Sequence, residues 1–287
     1  MPKARKRKVP VTANSTPSGN ASSSKPQASR TVIRQFHVLL KQQAQVKDAR
    51  ELEEIQRQID ELGGIECYQS MSAIGQGKDR GGGSEKVLIG WLKEMGCAGR
   101  EKKLKLLEVG ALLPDNYKSC SSWIDATPMD LHSRHPSIIE QDFLLMGPAE
   151  NPEKWDIISL SLVLNFVPRP EDRGRMLHLA HSMLPYGGKL FLAVYIHAPL
   201  PSSRILNFTR LSFPFPCVTN SRYLDFDRLR DIMRAVGFVE VKQRWKETGK
   251  MAYWLYTKEH PAPATQDAFT KKSVLRQGNR NNFCVLL

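Results

Sequence analysis

The stretch Leu104-Lys105-Leu106-Leu107-Glu108-Val109-Gly110 decides the fold of this chain. An apolar run that ends in an acid and then a glycine is typical of the first strand and turn of a nucleotide-binding α/β sheet. The dinucleotide fingerprint G-x-G-x-x-G is absent, because Ala111-Leu112-Leu113 follow the glycine. Taken alone, the stretch fits equally well a buried strand that ends in a plain turn.

Alternating strand and helix patterns extend outward from this stretch. A second apolar run, 156–168, falls where a fourth strand of such a sheet is expected. Apolar runs bounded by turn residues predict strands over 105–109, 128–131, 138–143, 155–160, 189–194, 238–242 and 252–257. Helical spacing predicts helices over 84–96, with Ser84 as its cap, 173–184 and 227–235. The alternation predicts a Rossmann-like α/β fold, with a mainly parallel seven-stranded sheet and helices on both faces.

Ligands of such sheets bind beyond the carboxyl ends of the strands, which places Gly110, Asp130, Asp142 and residues 161–167 on one rim. Gly110 would let a nucleoside ligand approach the backbone closely. Asp130, twenty residues further on, lies where a carboxylate accepts hydrogen bonds from ribose hydroxyls, and Asp142 could accept from an adenine amino group. Asp125 is a rival for the ribose, but we expect it to begin its strand. The plain alternative for each aspartate is a helix cap or a turn.

The net charge of +13 over 287 residues is concentrated in the terminal arms. Residues 1–34 carry eight bases and no acid, and their Ser- and Pro-rich composition predicts disorder. The basic run 3–8 suits a nuclear or nucleolar address or a nonspecific RNA contact, although a solvated tail remains an alternative. No apolar stretch is long enough to span a membrane, and we expect no membrane association of the protein.

Two further segments precede the main domain. Leu52, Ile55, Ile59 and Leu62 form an apolar stripe in a helix predicted over 31–62, which we expect to pack on the main domain. The glycine-rich residues 75–84 form either a lid or a plain linker. The five cysteines form no C-x-x-C pair, and the seven histidines lack metal-ligand spacing, so no metal site is expected.

The chain ends in Cys284-Val285-Leu286-Leu287, which fits the C-a-a-X signal for prenylation. Lys271, Lys272, Arg276 and Arg280 lie upstream, as the polybasic partner of a lipid anchor would. Prenylation would place the protein on a membrane, in conflict with a nucleolar location, and we regard it as the less favoured reading.

Several of these motifs together resemble one family, the fungal 25S ribosomal RNA adenine-N1 methyltransferases. The resemblance covers roughly residues 68–258 and rests on Leu106-Leu107-Glu108-Val109-Gly110, Met129-Asp130-Leu131-His132-Ser133, Gln141-Asp142-Phe143, residues 157–168, and Pro216-Cys217-Val218-Thr219-Asn220-Ser221-Arg222-Tyr223-Leu224. It implies a Rossmann-like class I methyltransferase fold, S-adenosylmethionine as cofactor, contacts to it from Gly110 and Asp130, ribosomal RNA or a pre-ribosomal particle as partner, and a nucleolar location.

Domain boundaries follow from these observations. We predict a disordered basic arm over 1–34, a helical extension with a glycine-rich loop over 35–83, the methyltransferase domain over 84–258, and a basic disordered tail over 259–287. Residues 195–214 depart from the family pattern, as an extra loop or as non-coding sequence translated in error. They put in doubt the geometry just beyond the fifth strand.

Adenine N1 is a neutral lone-pair nucleophile, so its methylation needs alignment more than a strong base. The product ring is cationic and calls for acceptors and a π face nearby, which Asn165 and Phe166 could provide. The plain alternative is that these two residues cap and fill the next helix. Two rival functions remain open: an inactive S-adenosylmethionine sensor that acts through protein partners, and a small-molecule methyltransferase.

Overall fold

A seven-stranded sheet, covered on both faces, organises the part of the chain that the structure describes. This computed structural model describes residues 32, 35–36, 38–40, 42–43, 46–64, 67, 83–133, 135–196, 218–247, 249–259, 269–278 and 280–287. The strands are β1 (Leu104–Val109), β2 (Ile124–Asp130), β3 (Ile139–Glu140), β4 (Ile157–Ser161), β5 (Lys189–Tyr195), β6 (Phe238–Trp245) and β7 (Met251–Lys258). The helices named below are α1 (Ala49–Glu61), α2 (Glu85–Glu94), α3 (Val163–Phe166), α4 (Pro170–Met183) and α5 (Phe226–Val236).

The strand order is β3-β2-β1-β4-β5-β7-β6. Neighbours among the first five strands pair parallel, and β7 runs antiparallel to both β5 and β6. Central parallel strands are buried on both faces, which explains why β1 reads as a continuous apolar run. Leu106 packs in the cluster that includes α2 residues, and Leu107 in the cluster that includes α4 and α5 residues. The predicted fold class is therefore confirmed.

Three predicted strands differ from the observed ones by three or more residues, and one of them is β6, which continues past 242 to Trp245. β2 begins earlier than predicted, at Ile124, so that Asp125 is its second residue and lies at the amino end, as expected. The strand predicted over 138–143 is reduced to β3, two residues long. It stops there because Asp142 caps the 3-10 helix Phe143–Leu145 by accepting a hydrogen bond from the backbone N–H of Leu144.

The single helix predicted over 31–62 is wrong, because residues 46–48 are not helical. Asp48 starts the new helix α1 by accepting hydrogen bonds from the N–H groups of two first-turn residues. Ile55 and Ile59 on α1 pack against Phe36 and Leu39, in a cluster that contains no residue of the sheet. Among the described residues, no buried cluster joins α1 to the main domain, so the expected packing is not seen there. The arm over 1–34, apart from Val32, and the loop over 75–82 lie outside the described residues.

The chain leaves and rejoins the sheet at one point beyond β5. The N–H of Val218 donates to the carbonyl of Tyr195 at 3.2 Å, and the N–H of Thr219 donates to the carbonyl of Ile196 at 3.1 Å. The pairing of β5 with β7 is unbroken from Lys189 to Tyr195. Residues 197–217 lie outside the described residues.

The prediction of a disordered tail over 259–287 is wrong for its second half. The described residues between 269 and 287, which we call the C-terminal strap, pack on the main domain, and Phe283, Cys284, Val285 and Leu286 are at most 7% exposed. Burial of these four apolar residues offsets the entropy cost of ordering the strap. The prediction of disorder gave more weight to the four bases upstream than to this apolar end. Residues 260–268 lie outside the described residues.

The burial of the strap also bears on the C-a-a-X signal. Cys284 is only 2% exposed, and its carbonyl accepts a hydrogen bond from the guanidinium of Arg173. The thiol is therefore inaccessible to a modifying enzyme while the strap stays packed. None of the described helices is both long and apolar enough to cross a membrane.

Candidate active site

Gly110 and Asp130 lie at the tips of neighbouring strands. The register pairs Val109 with Met129, and the N–H groups of Gly110 and Ala111 both donate to the Met129 carbonyl at 2.9 Å. Gly110 has φ +77°, and a Cβ added there would lie 2.9 Å from Cγ2 of Val163. The turn therefore requires a residue without a side chain, for both conformational and steric reasons. The structure brings together the two residues on which the predicted site rests.

Asp130 is half-buried, and its Oδ1 accepts a hydrogen bond from the N–H of His132 at 2.9 Å. This is the turn geometry that the plain alternative predicted. It remains compatible with a second use, because a carboxylate has about four lone-pair sites. Leu131, the next residue, is 55% exposed, and Leu145 is 76% exposed. Exposed apolar side chains near a rim carboxylate suit the flat ring of a nucleoside.

The structure assigns Asp142 a capping role, since its Oδ1 accepts from the N–H of Leu144 at 2.8 Å. This is again the plain alternative, and a contact to adenine stays a prediction. The N–H of Gln141 donates to the carbonyl of Asp130 at 3.0 Å, which keeps Asp142 close to the tip of β2. The three predicted cofactor residues thus lie on one rim, on three consecutive strands or their extensions.

The turn after β4 forms the opposite side of the rim. Leu162 has φ 65°, a left-handed conformation that costs a non-glycine residue about 1–2 kcal/mol. Strain of this kind is concentrated at functional sites. Asn165 is 1% exposed, and its Oδ1 accepts from the N–H of Tyr195 at 3.1 Å, so it ties α3 to β5. Phe166 is only half-buried. Of the two tentative catalytic residues, Asn165 therefore braces the rim, while Phe166 retains exposed surface there.

The expected side-chain cap at Ser84 is wrong. Ser84 makes no capping hydrogen bond to α2, and its Oγ instead contacts the Oγ of Ser161 at the end of β4. The beginning of α2 is thereby attached to the same rim.

Glu108 is a candidate functional residue that the predicted site did not include. It is 9% exposed, and its Oε1 accepts from the Nδ2 of Asn116 at 2.8 Å. Burial raises the pKa of Glu108 to about 7, against the lowering effect of the Asn116 hydrogen bond, and the nearby charge of Glu85 raises it slightly further. Glu108 lies two residues before Gly110, and carboxyl groups with a perturbed pKa cluster at functional sites. The signal available in the sequence was an acid in the apolar second half of β1.

A cavity of ≈ 370 Å³ lies on one face of the sheet and extends to Gln141, the neighbour of Asp142. Leu107, Thr127 and Met129 line it from the strands, and Met146 and Trp155 line it from the connection between β3 and β4. Neither Gly110 nor Asp130 lines it, so we assign the candidate site to the open rim, on the arrangement of the strand tips. Among the described residues, no group of His, Cys, Asp and Glu could hold a metal ion.

The fold is that of a class I methyltransferase. Its strand order and antiparallel seventh strand are those of this class, and a glycine turn after β1 lies beside an acidic residue at the end of β2. The family is narrower. Residues 53–285 match the family described as 25S rRNA (adenine(2142)-N(1))-methyltransferase, Bmt2, and the chain belongs to it. The match includes most of the C-terminal strap.

Two curated relatives support the assignment. The chain is 35% identical to the 25S rRNA adenine-N(1) methyltransferase of Schizosaccharomyces pombe, over 98% of this chain and 100% of that one. It is 31% identical to the 25S rRNA (adenine(2142)-N(1))-methyltransferase of Saccharomyces cerevisiae, over 91% of this chain and 73% of that one.

Solved structures resemble the chain more distantly. The 1,6-didemethyltoxoflavin-N1-methyltransferase of Burkholderia thailandensis, with bound S-adenosylhomocysteine, has a TM-score of 0.48 and 12% identity, over 75% of this chain and 92% of that one. An S-adenosylmethionine-dependent methyltransferase from Clostridium acetobutylicum has a TM-score of 0.46 and 10% identity, over 68% and 100% of the two chains.

We expect Glu108→Gln to remove a specific pH dependence of stability. Because the pKa of Glu108 is raised from 4.5 to about 7, the folded protein binds the proton more tightly than the unfolded chain does. Its free energy of unfolding should therefore fall as the pH rises from about 4.5 to about 7, by on the order of 3 kcal/mol. Glu108→Gln should flatten this part of the profile and stabilise the protein at pH 8, as measured by urea unfolding. The exposed Glu101→Gln serves as control, and identical profiles for wild type and Glu108→Gln would contradict the raised pKa.

Proposed function

We propose that this protein transfers a methyl group from S-adenosylmethionine to N1 of an adenine in large-subunit ribosomal RNA. The observation that carries the proposal is the match of residues 53–285 to a family described by that reaction. The relative from S. pombe, covered over its full length, supports it. The glycine turn and the acidic side chains of the rim, at the carboxyl ends of the strands where this fold binds ligands, are consistent with it.

The residues of the rim fit S-adenosylmethionine. Gly110 has no side chain where a Cβ would already touch Val163, so the ligand can approach the backbone N–H groups of the turn. Asp130 offers a carboxylate to the ribose hydroxyls, and the exposed side chain of Leu131 offers an apolar surface to the adenine ring. Asp142 is proposed to accept a hydrogen bond from the adenine amino group. When bound, the cofactor supplies a methyl group on a positively charged sulfur.

The protein's own contribution to the reaction is alignment. The N1 lone pair of a neutral adenine needs no base to remove a proton, which is consistent with a rim that offers braces and acceptors. Asn165 holds α3 against β5 through the N–H of Tyr195, and this positions the half-buried Phe166 at the rim. Phe166 is proposed to stack on the substrate base, as proteins that recognise extruded RNA bases use aromatic side chains.

The proposal extends to partner and location. Residues 1–34 carry eight bases and no acid, a composition suited to RNA phosphates and to a nuclear address. We propose that the protein acts in the nucleolus, on ribosomal RNA within a pre-ribosomal particle. Fluorescence microscopy of the full-length chain against a chain starting after residue 34 tests the location.

The activity is tested with labelled cofactor and unmodified large-subunit ribosomal RNA transcribed in vitro. We expect label in this RNA and not in a small-subunit transcript, and we expect it in 1-methyladenosine after digestion at neutral pH. Alkaline digestion must be avoided, because it moves the methyl group from N1 to the exocyclic nitrogen. Cofactor binding without transfer to either the RNA or a pre-ribosomal particle would favour a sensor and contradict the proposal.

We expect Asp130→Ala to weaken cofactor binding by about 1.5–3 kcal/mol, because charged hydrogen bonds to the ribose are lost. Asp125→Ala is the matched control, since Asp125 lies in the same strand at its amino end. Isothermal titration calorimetry with S-adenosylhomocysteine measures both. Normal binding by Asp130→Ala together with weak binding by Asp125→Ala would show that the ribose acid is assigned to the wrong end of β2.

A further inference from the structure

We propose that the C-terminal strap, together with residues 218–224 that it holds, forms a surface that binds single-stranded RNA beside the catalytic rim. This inference rests on the proposed function and assigns part of its substrate contact to named residues. It reassigns the basic tail from a lipid-anchor partner to a substrate-binding element.

The strap holds residues 218–224 mainly through one side chain. The guanidinium of Arg276 donates four hydrogen bonds of 2.6–3.0 Å to backbone carbonyls, those of Val218, Thr219, Ser221 and Leu224. Backbone hydrogen bonds add to this, because Arg222 N–H donates to the Asn281 carbonyl and Asn281 N–H donates to the Asn220 carbonyl, each at 2.9 Å. Residues 218–224 therefore take their conformation from the strap.

This unit is fixed to the rim at two places. Val218 N–H donates to the carbonyl of Tyr195, the last residue of β5. Arg173 on α4 donates to the carbonyls of Val167 and Pro168, which follow α3, and to the carbonyl of Cys284 in the strap. The end of β5 and the residues that follow α3 are thus tied to the strap and its partner segment, next to Phe166, on which the substrate base is proposed to stack.

The outer surface of this unit is cationic and aromatic. Residues 269–287 contain four bases and no acid, and Lys271 and Lys272 are exposed. The Tyr223 ring has the Arg222 guanidinium 6.0 Å and the Lys272 ammonium 5.9 Å from its centroid. Within the described part of the chain, Lys271, Lys272 and Arg222 form no ion pair with a carboxylate at 4.0 Å or less. Cations around an aromatic ring are the combination with which proteins bind single-stranded RNA.

The same lysines could attract an anionic membrane, but the burial of Cys284 argues against this partner. A polybasic segment serves a membrane best beside an accessible lipid anchor. Here the cysteine thiol is 2% exposed, and the strap is held by Arg173 and Arg276 against the protein. The cations are therefore displayed beside the rim rather than on a detached tail, which favours the RNA substrate.

The test is the double substitution Lys271→Gln and Lys272→Gln in the full-length protein. The matched control is Lys102→Gln and Lys103→Gln, an equal charge change at two exposed residues just before β1, at the amino end of a strand whose carboxyl end lies on the rim. Loss of two phosphate contacts should lower the slope of log affinity against log salt by about 1.4, at about 0.7 per contact for single strands. Affinity for a short single-stranded RNA, measured by fluorescence anisotropy, should fall roughly five- to tenfold.

Methyl transfer separates this surface from the active site. In the strap variant, Lys271→Gln with Lys272→Gln, the KM for large-subunit RNA should rise by a similar factor. Its kcat at saturating RNA and its affinity for the cofactor should stay unchanged. The control variant should match wild type in all three quantities. If the wild-type enzyme is active and the strap variant has the same KM and salt slope as wild type, the proposed RNA surface is wrong and the proposed function stands. A wild-type protein that binds the RNA through these lysines but transfers no methyl group would keep the surface and overturn the function. Strap-dependent binding to phosphatidylserine vesicles without strap-dependent RNA binding would overturn the surface in favour of a membrane.

Discussion

Gly174→Ala is expected to release the C-terminal strap from the protein. Gly174 lies inside α4, and an added Cβ would be 1.7 Å from the carbonyl oxygen of Leu286 and 2.7 Å from its carbonyl carbon. Both are backbone atoms, so no side-chain rotation relieves the clash. A glycine inside a helix costs about 1 kcal/mol relative to alanine, and here the close approach of the strap requires it.

The loss should be large, because three buried apolar residues leave the core with the strap. Phe283, Val285 and Leu286 are each at most 7% exposed, and full burial of such a side chain stabilises the fold by about 1.5–3 kcal/mol. Allowing for partial burial elsewhere after release, we expect a loss on the order of 5 kcal/mol in urea unfolding.

The readout specific to release is the reactivity of Cys284. A thiol reagent followed by peptide mass spectrometry should label Cys284 rapidly in Gly174→Ala and slowly in wild type. Gly90→Ala, in the middle of α2, is the matched control, since a Cβ there meets nothing within 4 Å. It should leave Cys284 protected and raise stability by up to about 1 kcal/mol. A protected Cys284 in Gly174→Ala would mean that the strap yields locally and stays bound.

Gly110→Ala is expected to weaken cofactor binding at least tenfold, and Gly110→Arg to abolish it. Alanine at φ +77° carries the strain of a left-handed conformation, about 1–2 kcal/mol, and its Cβ presses on Val163 at 2.9 Å. Arginine would in addition fill the space through which a ligand reaches the turn. Calorimetry with S-adenosylhomocysteine measures both effects.

Gly187→Ala is the control that distinguishes the effect of backbone strain from a direct effect on the cofactor site. Gly187 has φ +76°, nearly the same as Gly110, but a Cβ there meets nothing within 4 Å. We expect it to lose a similar 1–2 kcal/mol of stability through strain and to bind the cofactor normally. Unchanged cofactor affinity in Gly110→Arg would remove this turn from the site, whatever its effect on stability.

The sequence predicted those parts of the protein in which local pattern and final environment agree. The apolar runs of β1 and β4 are buried on both faces, as central parallel strands are, so their composition alone indicated their place. Asp130 and Gly110 could be placed on one rim because parallel strands bring their carboxyl ends to the same edge. The bounds of α2, α4 and α5 were predicted to within three residues from spacing.

Other features depended on partners that lie far away in the chain. The strap has no periodicity of its own, and its order comes from Arg173, Gly174 and residues 218–224. Glu108 acquires its raised pKa only through burial in the folded protein, which the hydrogen bond from Asn116 offsets in part. Asn165 becomes a brace because the Tyr195 N–H lies within reach at the edge of β5.

The amino-acid sequence by itself determined the sheet, the glycine turn and the acid at the neighbouring strand tip, because hydrophobic period and chain direction are local properties. Only the tertiary structure decided that the second half of the basic tail is a packed strap beside the candidate site, with its cysteine buried. The reason is physical: burial and hydrogen bonding between residues more than a hundred positions apart, such as Arg173 and Cys284, leave no trace in any short stretch of sequence.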